Sequence, residues 1–208
     1  PITFYASATQ TDAKNLIRLG NTTYSGTVGK ILNETIQVKV TDQYNQPVEN
    51  QAVLFKIVTG GGRIVGAQND SILSVNSNSN GVAQASWILG TKSGDQNNQL
   101  EVSANNGVNE LAGSPYVFTG SGIPDVTDPN TSQISATSPV TANGLEKSMI
   151  TITLYDQYQN PITDKNVVLS STGQYVSLEQ PSSTTNQMGE TVGYMSSTRS
   201  GTKIVYAR

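Results

Sequence analysis

A segment near residue 40 recurs about one domain length later, and this internal repeat constrains the fold more than any other feature of the chain. The segment VTDQYNQPV at residues 40–48 matches LYDQYQNPI at residues 154–162, an offset of 114 residues. The segment PITFYA at residues 1–6 matches PYVFTG at residues 115–120 at the same offset. A self-match at this spacing predicts tandem copies of one structural unit. The second match predicts that the chain begins with a strand equivalent to the last strand of a unit.

The composition fits two domains and excludes most enzyme chemistry. The 208 residues accommodate two domains of about 100 residues each. Histidine and cysteine are both absent, which excludes Ser-His-Asp triads, thiol catalysis and disulfides. We therefore expect no enzyme, no cofactor and no metal centre. With 13% charged residues and a net charge of −3, we expect no nucleic-acid partner, and the lack of a run of ~20 apolar residues predicts no membrane span.

Alternating apolar residues predict β-strands in both copies. Ile36, Val38 and Val40 alternate with polar residues, and residues 150–154 repeat the pattern. Turn-rich connectors separate the strands, and helical periodicity is absent. The predicted fold is all-β, with two tandem β-sandwiches of which the second lacks its own last strand. The predicted strands are residues 36–40, 51–58, 82–89, 100–104, 116–118, 150–154, 166–169 and 203–207.

The repeat also sets the predicted domain boundaries. Residues 1–8 are an N-terminal strand of the donor type, and residues 9–120 form the first sandwich. Residues 121–132 contain two prolines and are predicted as a linker. Residues 133–208 form the second, incomplete sandwich.

Several motifs in order resemble the bacterial immunoglobulin-like (Ig-like) repeats of the invasin and intimin type, which occur in adhesins and long surface proteins. The motifs are the DQYNQP and DQYQNP turns at residues 42–47 and 156–161, the segments NSNG and TNQMG ending at Gly81 and Gly189, and the closing SGTKIVYA at residues 200–207. The resemblance covers roughly residues 24–208. It implies an Ig-like fold and an extracellular, cell-surface stalk or adhesive module without catalysis. The departure is at the end, where the second copy reaches Arg208 before the strand that follows in the first copy.

The repeated turn has two interpretations. In the structural one, the Asp caps the turn, the Pro fixes φ and the Tyr ring closes the end of the sandwich. In the other, the carboxylates bind calcium. We favour the structural interpretation, because Glu49 is the only carboxylate near the first turn. The residues concerned are Asp42, Tyr44, Pro47, Asp156, Tyr158 and Pro161.

Two further groups of residues have alternative interpretations. Asp125 and Asp128 in the predicted linker are candidates for interdomain calcium, but a polar, proline-stiffened spacer is favoured. The aromatic residues could form a sugar-binding platform, although a core position is favoured for nearly all of them. They are Phe55, Trp87, Tyr116 and Phe118.

The unfinished second sandwich leads to a specific hypothesis of assembly. A sandwich without its last strand exposes an apolar groove and unpaired backbone groups. Ile2 and Phe4 share the parity of Tyr116 and Phe118, so the N-terminal strand has the apolar pattern to fill such a groove. The first copy separates the two ends of the chain, which favours insertion into another molecule. The predicted donor residues are Pro1, Ile2, Thr3, Phe4, Tyr5 and Ala6, and the predicted acceptor edge is Lys203, Ile204, Val205, Tyr206 and Ala207.

This hypothesis predicts a head-to-tail filament or pilus-like fibre, because a contact that does not close on itself propagates. The expected partner is another copy of the chain, and a host or neighbouring-cell surface is a further candidate. The alternative is that the sequence is part of the stalk of a long tandem-repeat surface adhesin. A carbohydrate-binding or enzyme-appended module is a third, less favoured interpretation.

Overall fold

The protein is described by a computed structural model for residues 3–5 and 11–208. Its chain divides into two compact units, Pro1–Ile123 and Pro124–Arg208. Over the described residues, the regular secondary structure consists of β-strands without a helix. The prediction of an all-β fold with two sandwich-type units is confirmed.

The first unit contains two principal sheets. A three-stranded sheet has the order β1-β3-β7, and a five-stranded sheet has the order β2-β10-β9-β4-β6, while β5 and β8 form a short pair. The strands described in this unit are β1 (Asn15–Leu19), β2 (Thr23–Thr27), β3 (Ile36–Thr41), β4 (Ala52–Thr59), β5 (Arg63–Ile64), β6 (Ile72–Asn76), β7 (Val82–Ala85), β8 (Trp87–Ile88), β9 (Gly94–Ser103) and β10 (Tyr116–Ile123).

The core of the first unit lies between these sheets. In β3 the side chains of Ile36, Val38 and Val40 are fully buried, as the alternation predicts. They belong to the same buried cluster as Phe55 of β4 and Phe118 of β10. Burial of these residues from both sheets stabilises the unit, because it removes their apolar surface from water.

β10 lies between two neighbouring strands in the five-stranded sheet. It pairs antiparallel with β9, where Phe118 is opposite Leu100, and parallel with β2, where Ile123 is opposite Thr27. The strand extends to Ile123 and so includes the first three residues of the segment predicted as a linker. These residues are strand because their backbone pairs with β2.

The second unit has fewer strands. One sheet has the order β11-β12-β15-β14, and β13 pairs with β16 in a second, two-stranded sheet. The strands described here are β11 (Gln133–Ala136), β12 (Ser148–Thr153), β13 (Leu169–Ser171), β14 (Val176–Glu179), β15 (Glu190–Ser197) and β16 (Val205–Ala207).

Residue pairing identifies the equivalent strands of the two units. Ile36 of β3 is opposite Ala85 of β7, and the corresponding Ile150 of β12 is opposite Gly193 of β15. The β13–β16 pair likewise corresponds to β4–β9. In the part of the second unit that the structure describes, no strand occupies the positions of β10 or β2.

The repeated glycines at the ends of the NSNG and TNQMG segments lie in close contact with a backbone carbonyl at the end of the strand that precedes each Asp turn. Gly81 and Gly189 have φ of +75° and +76°. A Cβ atom on Gly81 would lie 2.4 Å from the carbonyl oxygen of Val40, and one on Gly189 would lie 2.5 Å from that of Leu154. Both positions therefore require glycine.

The two units differ most in their cores. Among the described residues, nineteen buried apolar side chains form the core cluster of the first unit. The corresponding cluster of the second unit has four, namely Ile150, Ile152, Val167 and Leu169. The second unit therefore buries much less apolar surface.

Candidate functional site

The second unit contains a cleft with two opposite walls. One wall is formed by residues 134–142 and the other by residues 199–205, with Ile150 and Met195 also lining the space. Its volume is about 650 Å³. No hydrogen bond of the described backbone joins residues 138–142 to residues 199–205. The walls are therefore separate edges that do not pair with each other.

A second cleft of about 520 Å³ continues along β16. Ile134 and Val205 line both clefts, so together they form one groove. The apolar residues that line the second cleft include Ile152, Leu154 and Val167. Ile134 is 47% exposed although it is opposite the buried Ile152. We call this whole feature the unit-2 groove.

The unit-2 groove corresponds to the place that β10 fills in the first unit. Residues 137–141 follow β11 in the chain as β2 follows β1, and residue pairing places β16 at the position of β9. In the first unit β10 lies between β2 and β9, and its Phe118 is fully buried. The groove therefore has the position and the two flanking segments of a strand site.

The predicted donor and acceptor residues are only partly described. Thr3, Phe4 and Tyr5 are exposed, with Phe4 at 93% and Tyr5 at 92%, and they belong to no strand. Pro1, Ile2 and Ala6 lie outside the described residues.

On the acceptor side, β16 contains Val205, Tyr206 and Ala207, while Lys203 and Ile204 precede it. The structure therefore places three of the five predicted residues in a strand, and their role as an acceptor edge stays a prediction. Backbone pairing extends one residue beyond β16, because Arg208 and Val168 exchange hydrogen bonds of 2.9 and 3.0 Å. The strand predicted at residues 166–169 also differs from the structure, since β13 begins at Leu169.

The repeated turns are capped by their aspartates. Oδ1 of Asp42 accepts hydrogen bonds from the backbone N–H groups of Tyr44 and Gln46, both at 2.8 Å. Oδ1 of Asp156 accepts the equivalent bonds from Tyr158 and Asn160, at 2.8 and 2.9 Å. These bonds satisfy the backbone donors of a tight turn.

Hydrogen bonding lowers the pKa of both carboxyl groups. The Thr11 hydroxyl makes the largest contribution at Asp42, and backbone donors add to it, so the pKa of Asp42 lies below its ordinary value. Burial of Asp156 favours the neutral form, but hydrogen bonds from Asn160, Asp125 and Tyr158 outweigh burial and lower its pKa. Both turns therefore favour an ionised aspartate.

The other residues of the turn motif have different positions in the structure. Pro47 and Pro161 form isolated bridges with Thr41 and Tyr155. Tyr158 is half-buried, whereas Tyr44 is 66% exposed. The expectation that the tyrosine closes the sandwich end is therefore wrong for Tyr44, because the middle of its turn projects into solvent.

The candidate calcium ligands of the predicted linker make local contacts. Asp125 Oδ2 accepts a hydrogen bond of 3.1 Å from Gln157, and Asp128 Oδ1 accepts one of 2.8 Å from the N–H of Asn130. Within residues 3–5 and 11–208, no group of three or more potential ligands is placed to hold a metal ion. The geometry gives no support to the calcium interpretation.

The chain was compared with known families and structures. Residues 130–208 match the family model described as bacterial Ig-like domain (group 1). The resemblance to bacterial Ig-like repeats is confirmed. Comparison with curated protein sequences gives no significant match.

Several solved structures of bacterial proteins align with most of the chain. InvD of Yersinia pseudotuberculosis is 20% identical, with a TM-score of 0.51, over 93% of this chain and 52% of that chain. The Escherichia coli adhesin FdeC is 16% identical, with a TM-score of 0.49, over 93% and 57% of the two chains. Invasin, a bacterial integrin-binding protein, is 19% identical, with a TM-score of 0.43, over 93% and 35%. The chain therefore spans between about a third and a little over half of these proteins.

Both Ig-like units contain a buried hydroxyl that the sequence analysis did not single out. Ser77 Oγ donates to the carbonyl of Val48 at 2.7 Å, and its own oxygen accepts from the N–H of Gln51 at 3.0 Å. Thr185 makes the equivalent bonds to Ile162 and Lys165, also at 2.7 and 3.0 Å. The signal available in the sequence was a hydroxyl residue directly before the Asn-x-x-Gly segment of each repeat.

Burial of the aromatic residues argues against a sugar-binding platform formed by their rings. Phe55, Trp87 and Phe118 are fully buried in the core of the first Ig-like unit. Tyr116 is half-buried at its edge. Three of the four aromatic residues therefore have no ring face available to a carbohydrate.

Proposed function

We propose that this chain is a non-catalytic structural subunit of an extracellular bacterial surface filament or pilus-like fibre. In this proposal, the N-terminal strand of one subunit inserts into the second Ig-like unit of the next. The observation that carries the proposal is the unit-2 groove, which has the position that β10 fills in the first unit. The surface location follows from the resemblance to Ig-like repeats of bacterial surface proteins.

The groove has the properties of a β-strand acceptor. It exposes apolar side chains such as Ile134 next to the edge of β16. An extended peptide gains main-chain hydrogen bonds at such an edge and buries alternate side chains in the groove. Burial of one large apolar side chain contributes about 1.5–3 kcal/mol.

The N-terminal segment is the best candidate for the inserted strand within this chain. Its Phe4 stands at the position of Phe118 in the 114-residue repeat, and Phe118 is the β10 side chain buried in the first unit. Phe4 itself is 93% exposed and so is available for such a contact. Repetition of a heterologous contact that does not close produces an open filament.

A second candidate function is a stalk segment of a long tandem-repeat surface adhesin. The similarity to InvD favours it, because this chain covers only 52% of that chain. In that case further residues of the same polypeptide would fill the unit-2 groove, as β10 does in the first unit. A host or neighbouring-cell surface would be the partner of such an adhesin.

The partners proposed here do not include nucleic acid or a lipid bilayer. Among the described residues, no helix has the length and apolar character needed to cross a membrane. We propose no cofactor and no catalytic activity for either candidate function.

Substitution of Phe4 tests the proposed assembly. Phe4→Asp is expected to abolish end-to-end polymers, because a carboxylate would have to enter an apolar groove. Deletion of residues 1–6 is expected to have the same effect. The measurements are sedimentation velocity and negative-stain electron microscopy of the full-length protein and its variants.

Val108→Asp is the matched control, because Val108 is also exposed, at 85%, but lies in a loop of the first unit. This variant is expected to polymerise like the unsubstituted chain. Polymers that persist after deletion of residues 1–6 would disprove strand insertion. An unsubstituted chain that stays monomeric at all concentrations would favour the stalk.

A further inference from the structure

The unit-2 groove has two edges, and this determines how a strand can enter it. Resting on the proposed function, we propose that the inserted segment runs antiparallel to β16 and parallel to residues 137–141. In this arrangement Phe4 of one copy faces Val205 of the next, and Thr3 is opposite Tyr206. The acceptor therefore consists of both walls, whereas the sequence identified residues only on the β16 side.

The direction of the strand follows from the first unit. There β10 pairs antiparallel with β9 and parallel with β2, so it is hydrogen-bonded on both sides. Residues 137–141 follow β11 as β2 follows β1, and they line the same cleft as residues 199–203 and Val205. A strand placed between these walls in the direction of β10 is antiparallel to one and parallel to the other, and this repetition of the first unit is the basis for the proposed direction.

The register follows from the pairs that the two units share. Phe55 is opposite Val102 in the first unit, and the equivalent Leu169 is opposite Ala207 in the second. Ala207 therefore takes the place of Val102, and Val205 takes that of Leu100. Phe118 is opposite Leu100, so its counterpart Phe4 is placed opposite Val205.

The shape of the groove fits the donor sequence at a second position. In the first unit Gly120 is confined, since a Cβ atom there would lie 2.6 Å from Leu89 and 3.2 Å from Trp87. The pairing of β12 with β15 places Met195 and Ser197 at the positions of Trp87 and Leu89. These smaller side chains leave space beside the strand, and the sequence has Ala6 where the first unit requires Gly120.

The charge of the groove also fits this donor. Its lining includes four basic residues and no Asp or Glu side chain, which disfavours a basic segment. Residues 1–10 contain no charged side chain, and the first charged residue after them is Asp12. The basic residues are Lys165, Arg199, Lys203 and Arg208.

Disulfide crosslinking tests the register, and the chain has no native cysteine to interfere. Directly opposite residues in an antiparallel pair have Cα atoms about 4.5–5.5 Å apart, within the range of a disulfide. The full-length Thr3→Cys/Tyr206→Cys variant is expected to form a ladder of covalent oligomers on mild oxidation, visible on a non-reducing gel. Mass spectrometry is expected to find residue 3 linked to residue 206.

Two further double variants complete the test. Thr3→Cys/Ala207→Cys places the second thiol on the other face of the strand and is expected to give less than a tenth of the crosslinking. If the Thr3→Cys/Ile204→Cys variant crosslinks and the Thr3→Cys/Tyr206→Cys variant does not, the proposed register is wrong by two residues. In that case the polymer itself would still form. Absence of polymers from the unsubstituted chain would instead contradict the proposed function itself.

Discussion

The Trp87→Ala variant is expected to lose about 3–5 kcal/mol of the free energy of unfolding of the first unit. Trp87 is fully buried in the core of that unit. Its ring is close to β10, because a Cβ atom on Gly120 would lie 3.2 Å from it. Truncation therefore leaves a cavity against a backbone that has little freedom to collapse. Urea unfolding measures this loss of free energy. It is followed by far-UV circular dichroism, because Trp87 is the only tryptophan and the variant therefore has no tryptophan fluorescence.

Met195→Ala is the matched control for this prediction. Met195 occupies the equivalent position in the second unit, but it is only partly buried and lines the open groove. Its truncation is expected to cost about 1 kcal/mol, because it removes little buried surface. A loss below about 1 kcal/mol for Trp87→Ala would contradict the described core.

The Asp156→Ala variant is expected to lower the free energy of unfolding of the second unit by about 2–4 kcal/mol. Asp156 is fully buried and accepts hydrogen bonds from the N–H groups of Tyr158, Asn160 and Asp125. Alanine would leave these donors without their acceptor. Gln157→Ala in the same turn is the control, since Gln157 makes an exposed side-chain bond, and it is expected to cost less than about 0.5 kcal/mol.

The lowered pKa of Asp156 gives this prediction a pH dependence. Because the folded-state pKa lies below the unfolded value of about 3.9, the carboxylate stabilises the fold fully above the unfolded pKa. This contribution is lost as the pH falls through the folded-state pKa. The unfolding free energy of the unsubstituted second unit is expected to fall below about pH 4 more steeply than that of Asp156→Ala. Parallel pH curves for the two proteins would show that Asp156 is not the titrating group.

The strands and turns of this protein were largely predictable because their signals are local. The alternation of Ile36, Val38 and Val40 determines which face of β3 is buried. The repeated Asp-Gln-Tyr-x-x-Pro segments each place an Asp where two backbone N–H groups need an acceptor. These features depend on neighbouring residues, so sequence reasoning identified them.

The exact pairing of the last strand was not predictable. The sequence aligned residues 203–207 with residues 100–104, whereas the β13–β16 register places Val205 at the position of Leu100. A shift of two residues keeps each side chain on the same face of the sheet, so apolar alternation cannot distinguish the two registers. Only pairing with β13 decides between them.

The residues that form the second wall of the unit-2 groove could not be identified from the sequence. Residues 137–141 contain Pro139 and little apolar alternation, so they carry no strand signal. Their role as a wall depends on the residues across the groove, and only the folded structure brings these segments together. Insertion of the donor strand itself stays a prediction.

Hydrogen–deuterium exchange on the unit-2 groove tests the central claim most directly. The measurement compares the chain lacking residues 1–6, alone and with a synthetic peptide of residues 1–10, at the backbone amides of both walls. We predict that the peptide slows exchange at Val205–Ala207 and at residues 138–141 of the second wall, and that the same peptide with Phe4→Asp does not. Unchanged exchange at both walls with a saturating excess of peptide would contradict the account.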